Sequence, residues 1–286
     1  MSILGTRVLR TEDPRFLTGG DTYIENLSFP GAAHVVYLRS TVAHARIVSV
    51  DTTGARAMPG VIDVCTGADV DLALRPPAHE RVPAAMARPL LALGVVRFVG
   101  EAVAAVVAET RAQAVDAAEA IVVEYDPLPV VIDPEAAIGG DVLLFPEAET
   151  NVAMQAPLRR GAELFDGCDV VVTERIVNQR VAPAPLEVRA AAARIDPEGR
   201  LTQWACTQNP HHTRNGLADA LGLTRDQVHV ITPDVGGGFG AKSGTYPEEI
   251  LVAWLAGRIG RPVRWVETRT ESMMALGHGR AQVQYA

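Results

Sequence analysis

Four of the five residues from Gly236 to Gly240 are glycine, and they directly follow the strand-like run DQVHVITPDV. Glycine gives up more backbone freedom on folding than any other residue, so a run this dense is costly as a bare turn. Strand, glycines, then helix is a common way to turn backbone N–H groups toward an anion. The sequence beyond the loop fits that pattern. Lys242 follows the glycines, and Thr245-x-x-Glu248 with Pro247 reads as a capped helix start.

Two nucleotide readings compete for the loop. A mononucleotide-binding GxxxxGK[ST] motif is matched from Gly236 to Ser243 except at Ala241, and no magnesium-binding aspartate follows an apolar strand downstream. A dinucleotide-binding GxGxxG/A motif is matched by Gly236, Gly238 and Ala241, with Glu267 near the place of a ribose-binding acid. That acid is late in the chain, and the motif leaves the first 225 residues unexplained. A tight turn with no ligand is the remaining reading.

The rest of the chain has two modules. The first holds the strand-like runs 33–40, 45–51 and 60–70, then VVRFVG, EAVAAVVAE and IVVEYDPLPVV. Thr110-x-x-Gln113 opens an alanine-rich helix to about Ala120, and the spacing predicts helices on one face of a sheet. Residues 1–30 read as irregular. Proline, glycine and acids over 132–150 read as a linker. The second module starts with CDVVVTERIVNQR, EVRAAAARID and RLTQWACTQ as strands. Asn209-Pro210 begins a helix that Gly222 ends, and Thr224-x-x-Gln227 caps one more turn. After the glycine loop, Ile250, Ala253, Trp254 and Gly257 share one helix face, Gly260 stops that helix, and RPVRWVE is a strand. AQVQYA alternates like a strand with no turn after it, which reads as a chain that continues or is split. The fold class is α+β. The expected division is an extension over 1–18, a mixed domain over 19–131, the linker over 132–150 and a second, partial domain over 151–286.

The formal net charge of −8, and a longest basic run of only Arg159-Arg160, argue against a nucleic-acid partner. No apolar stretch is long enough for a membrane helix, and the N-terminus lacks a secretory pattern. Three scattered cysteines, Cys65, Cys168 and Cys206, with no CxxC, give no iron–sulfur or zinc site and fit a reducing cytoplasm. All three read as buried thiols. Adjacent His211 and His212 point different ways on a helix and have no third ligand spaced with them, so no metal site is expected there.

GGGFGAK (236–242) resembles the pterin-cradling loop of the molybdenum hydroxylases, the xanthine dehydrogenase and aldehyde oxidase family that includes aerobic carbon monoxide dehydrogenase large subunits. TQNPH (207–211), VAPAPLEVRAA (181–191) and GRPVRWVETRTES (260–272) resemble family segments in the same order. Residues 96–134 resemble the family's hammerhead domain, so the likeness runs from about residue 5 to 286. The resemblance implies a hammerhead-type mixed α/β domain followed by the first part of a molybdopterin-binding α+β domain.

It also implies a cofactor: molybdenum with molybdopterin, in its cytosine dinucleotide form. Gln208 would donate to the oxo group of the metal. Phe239 and Gly240 would donate backbone N–H groups, while Gly237 and Gly238 would let the loop close. Lys242 is either a phosphate neighbour or an exposed lysine. The implied reaction hydroxylates carbon with oxygen from water, and electrons leave through [2Fe–2S] clusters and FAD. The partners implied are a C-terminal part of the large subunit, an FAD-binding subunit and an iron–sulfur subunit. The family's base is a glutamate near the end of the large subunit, so no catalytic residue is expected in this chain, and neither Glu187 nor Glu267 takes that place. Purine-hydroxylating relatives carry glutamate after the loop lysine, where Ser243 stands here. That favours an aldehyde, N-heterocycle or carbon monoxide-like substrate, although none of the three cysteines lies in the copper-binding motif of carbon monoxide oxidation. A non-catalytic remnant of such a subunit is the rival outcome.

Overall fold

The computed structural model describes residues 4–5, 7–77, 79–156 and 165–286. The Arg159-Arg160 pair lies outside them. The strands are β1 (Ala33–Arg39), β2 (Ala45–Asp51), β3 (Val61–Thr66), β4 (Val95–Val96), β5 (Ala102–Ala108), β6 (Val122–Pro127), β7 (Arg175–Asn178), β8 (Ala190–Ile195), β9 (Leu201–Ala205), β10 (Val228–Ile231), β11 (Val263–Val266) and β12 (Gln282–Tyr285). The helices are α1 (Asp13–Leu17), α2 (Thr53–Arg56), α3 (Arg111–Glu119), α4 (Pro134–Gly139), α5 (Pro210–Leu221), α6 (Pro247–Ile259) and α7 (Arg269–Ala275).

One sheet runs through both halves of the sequence. Its order is β10-β9-β8-β11-β1-β5-β3, and the parallel pairing of β1 with β11 aligns Ala33 with Val263. Two smaller sheets, β4-β2-β6 and β12-β7, flank it. The run AVAAVVA of β5 is buried along its whole length, as both faces of this strand are covered. Ala104, Val106 and Ala108 pack against Ala114, Ala117 and Ala118 of α3. Ala105 and Val107 face the other way, into a cluster with Leu251, Leu255 and Leu217 of α6 and α5. The strand's two-residue period thus sends alternate side chains into two cores. Helices lie on one face within the first half, as the spacing predicted, and α5 and α6 cover the opposite face.

Helix ends follow local chemistry. Thr110 Oγ1 accepts the N–H of Gln113, and Gln113 Oε1 accepts that of Thr110, which closes the expected capping box. Asn209 Oδ1 accepts the N–H of His212, and α5 ends at Gly222 in the left-handed region. At α6 the box is one residue later than expected. Glu249 Oε2 accepts the N–H of Tyr246, because the Glu248 carboxylate is drawn into ion pairs with Arg39 and Arg189. Thr245 is buried with an unpartnered hydroxyl.

Other expectations are corrected. Helix α6 is enclosed almost all round, whereas Trp254 is half-exposed, its indole N–H donating to Asp71, and Gly257 is exposed. Its burial is set by the two halves closing over it rather than by one amphipathic stripe. CDVVVTERIVNQR forms a strand only at Arg175–Asn178, and Val170, Val171 and Val172 are exposed. The 132–150 segment includes α4, capped by the Asp133 carboxylate. Helices α1 and α7 arise where none was expected. Cys65 and Cys206 are buried and burial pushes both thiols up to about 12, but Cys168 is exposed. Among the described residues no helix is long and apolar enough to cross a membrane.

Candidate cofactor-cradling site

The glycine run lies between β10 and α6, in a loop that continues to Tyr246 before the helix begins. Its amides are therefore supplied by the loop itself and not by a helix N-terminus. Asp234, at the loop's entrance, is clamped by Arg15 of α1 through two bonds of 2.6 Å, and it also accepts the N–H and hydroxyl of Thr22. Arg15 and Thr22 hold this carboxyl well below the usual carboxylate range. The N-terminal segment, which reads as irregular from sequence, is thus a tether for the loop.

Gln208 is the centre of the site. Its Oε1 accepts the N–H of Gly240 at 2.9 Å and that of Lys242 at 3.2 Å, and its own N–H donates to the Lys242 carbonyl at 2.9 Å. Because the oxygen takes two amide donors, the side-chain NH₂ must be the outward end of the amide. That NH₂ has no acceptor among the described residues. A Cβ at Gly238 would lie 2.4 Å from Gln208 Oε1, so only glycine lets the loop close on this side chain. Gly237 has φ +97°, a region that suits glycine.

Phe239 has φ +52° and is 74% exposed, so it is not the core aromatic that a structural role would need. A non-glycine residue held at positive φ stores strain, and such residues concentrate at functional sites. The backbone N–H groups of Gly237, Gly238 and Phe239 make no hydrogen bond among the described residues. Successive unpaired amides with left-handed residues among them form a concavity suited to an anion. The Gly240 N–H, expected to face a ligand, is instead committed to Gln208. The free donors of the loop are therefore one step earlier, and Gln208 adds its own.

Lys242 is neither exposed nor free to meet a phosphate. It is 2% exposed, and its Nζ donates to the Glu187 carbonyl and to Glu187 Oε2, both at 2.9 Å. Glu187 Oε2 also accepts the N–H of Gly236, and the Glu187 N–H donates to the Gly236 carbonyl. Glu187 thus binds the first and last residues of the motif. Sequence reasoning placed Glu187 in a family-like stretch but gave it no such role. Glu267 is also unavailable to a ribose. It is buried, and accepts the backbone N–H and Nε of Arg189.

Arg189 pairs with Glu248 and Glu267, while Arg39 pairs with Glu248 and Glu271. This network ties β1, α6 and α7 to Arg189, just before β8, and to Glu267, just after β11. The Arg189 and Arg39 charges hold Glu248 down to about 2 against the opposing effect of burial. The Arg189 guanidinium also sits 4.2 Å from the centre of the Tyr246 ring. Tyr246 donates its hydroxyl proton to the Ala241 carbonyl at 2.6 Å and accepts the Gly277 N–H at 2.9 Å. A cavity of about 550 Å³ opens between Phe239–Ala241, Tyr246 and Gly277–Arg280.

Residues 144–286 match the molybdopterin cofactor-binding domain, and residues 18–129 match the a/b hammerhead domain of aldehyde oxidase and xanthine dehydrogenase. The chain is 39% identical over its whole length to the nicotine 6-hydroxylase large subunit of Paenarthrobacter nicotinovorans, of which it covers 36%. It is 35% identical, over 97% of its length and 36% of the relative's, to the carbon monoxide dehydrogenase large chain of Afipia carboxidovorans. The crystal structure of quinoline 2-oxidoreductase from Pseudomonas putida 86 superposes with a TM-score of 0.91 at 41% identity. That match covers 99% of this chain and 37% of the other. The chain thus spans little more than a third of the length of these relatives.

Proposed function

The chain belongs to the molybdopterin-dependent aldehyde oxidase and xanthine dehydrogenase family, and from that premise we propose that it supplies the N-terminal part of a hydroxylase large subunit, its glycine loop holding the cofactor. The observation that carries this reading is the Gln208 clasp. One side chain fixes two loop amides, leaves three others unpaired and keeps its own NH₂ free. Such donors suit oxo and phosphate oxygens, and bonds to charged acceptors are the strong ones. Bound there, molybdopterin with molybdenum would supply two-electron redox chemistry and transfer of water-derived oxygen to carbon.

This chain's own residues would bind and orient the group. Gln208 and the amides of Gly237, Gly238 and Phe239 would donate to it. Glu187 and Lys242 would hold the loop's two ends at fixed spacing, and Tyr246 would fix the Ala241 carbonyl. The general base and the loops closing the site would come from a C-terminal part of the large subunit. Electrons would pass to iron–sulfur and FAD partners in the cytoplasm. A cytosine dinucleotide form of the cofactor fits the same reading.

Of the substrate classes, an N-heterocycle is favoured over an aldehyde or carbon monoxide. Nicotine 6-hydroxylase and quinoline 2-oxidoreductase are similar relatives whose names specify such rings. Ser243, rather than an acid after Lys242, speaks against a purine. The test is turnover of nicotine, quinoline and an aryl aldehyde by the natively purified assembly in ¹⁸O-labelled water. Label in a hydroxylated N-heterocycle supports the reading, whereas oxidation of the aldehyde alone removes the ring preference.

A further inference from the structure

A second cavity, of about 850 Å³, lies beside the glycine-loop cavity and shares Tyr246, Gly277 and His278 with it. Its volume is in the range of small-molecule sites. Arg75 and Arg88 line it from an antiparallel bridge, in which each backbone N–H donates to the other's carbonyl, at 2.7 and 3.0 Å. Residues paired in this way project from the same face, a few ångströms apart. Two like charges are therefore neighbours in a recess of a chain whose net charge is −8.

Neither guanidinium has a hydrogen-bond or ion-pair partner among the described residues. The nearby carboxylates act on them only through space, Glu248 and Glu249 on Arg75 and Glu101 on Arg88, without a hydrogen bond to either. Glu248 is taken by Arg39 and Arg189, and Glu101 is buried and accepts the Arg97 N–H at 2.6 Å. Arg39 lines the same cavity and keeps Nη2 buried and unpartnered. Burial and the Arg88 charge disfavour the Arg75 charge and outweigh the opposing Glu248 and Glu249 charges. Natural interiors place such groups where an anion completes them. The wall also carries Arg97, Arg180, His44 and His278, and its apolar part includes Leu90, Val99, Met274 and Leu276.

We propose that this cavity binds a small organic carboxylate with an apolar body, its carboxylate held by Arg75 and Arg88. The site is separate from the cofactor donors, so its occupancy does not rest on cofactor loading or turnover.

The test is calorimetric titration of benzoate into the natively purified assembly at physiological salt, with benzyl alcohol as a neutral analogue and inorganic phosphate as an anion lacking an apolar body. Benzoate saturates the site below about 10 mM, Arg75→Gln and Arg88→Gln each weaken it at least about tenfold, and benzyl alcohol does not bind. The unliganded Arg75→Gln protein melts at or above the wild-type temperature, because a like-charge contact is relieved. No benzoate binding, binding that survives both substitutions, equal affinity for phosphate, or a large fall in melting temperature in Arg75→Gln would overturn the proposal. The last result would make Arg75 a structural residue.

Discussion

Lys242 Nζ lies 2.9 Å from the carboxylate of Glu187, and the same carboxylate oxygen accepts the N–H of Gly236. One acid therefore holds the first and last residues of the glycine motif. The pair is nearly removed from water, with side-chain exposures of 1% for Lys242 and 12% for Glu187. Removing one partner of such a pair leaves an uncompensated charge.

Glu187→Gln should accordingly lose about 3–5 kcal/mol of stability, read from urea unfolding. The double substitution Glu187→Gln with Lys242→Met should recover much of that loss, because no buried charge is left alone. A double variant as unstable as Glu187→Gln would show that the carboxylate acts through Gly236 and not through Lys242.

Gly238→Ala places a Cβ 2.4 Å from Gln208 Oε1. No real Cβ contact is that short, so the loop and Gln208 must part. The circular dichroism spectrum should stay native, since the sheet does not depend on this contact, while bound pterin and molybdenum fall together. Full cofactor content in Gly238→Ala would mean that the clasp is not needed for binding.

Gln208 has two separable roles. Gln208→Glu keeps an oxygen for the Gly240 and Lys242 N–H groups but removes the outward NH₂ donor. It should preserve loop stability and lose cofactor, whereas Gln208→Ala should lose both. Hydrogen-exchange protection of the Gly240 and Lys242 amides, set beside pterin content, separates the two.

Glu249 carries a pH signature. Burial raises its carboxyl from 4.5 to about 7. The folded protein keeps that proton where the unfolded chain has released it, so the stability tied to it is full below pH 4.5 and is lost as pH rises through 7. Glu249→Gln should be less sensitive than wild type over that window while still capping Tyr246 through its amide oxygen. Equal pH slopes in thermal melts of the two proteins would place the titration elsewhere.

Much of the fold was legible because its signals are local. The capping box at Thr110 and the Asn209-Pro210 helix start depend on side chains three residues apart, and both form as read. The glycine run was also legible, since its spacing is carried within one short motif, whereas Gln208 was singled out only through the resemblance of TQNPH to a family segment. What escaped depends on distant pairing. Nothing near Ala33 announces that β1 will pair in parallel with β11, and nothing near Lys242 announces Glu187, 55 residues earlier. The misplaced α6 cap has the same cause, since Glu248 leaves the helix start to meet Arg39, 209 residues away. Tertiary ion pairs outrank local caps when both want the same carboxylate.

Whether this loop holds a molybdenum–pterin cofactor is decided by purifying the protein from its own cell in its native assembly and measuring molybdenum and pterin against the amount of this chain. Both should be found in equal proportion to the chain, with iron and FAD in the same assembly. A folded chain that purifies with neither molybdenum nor pterin would contradict that role for the loop.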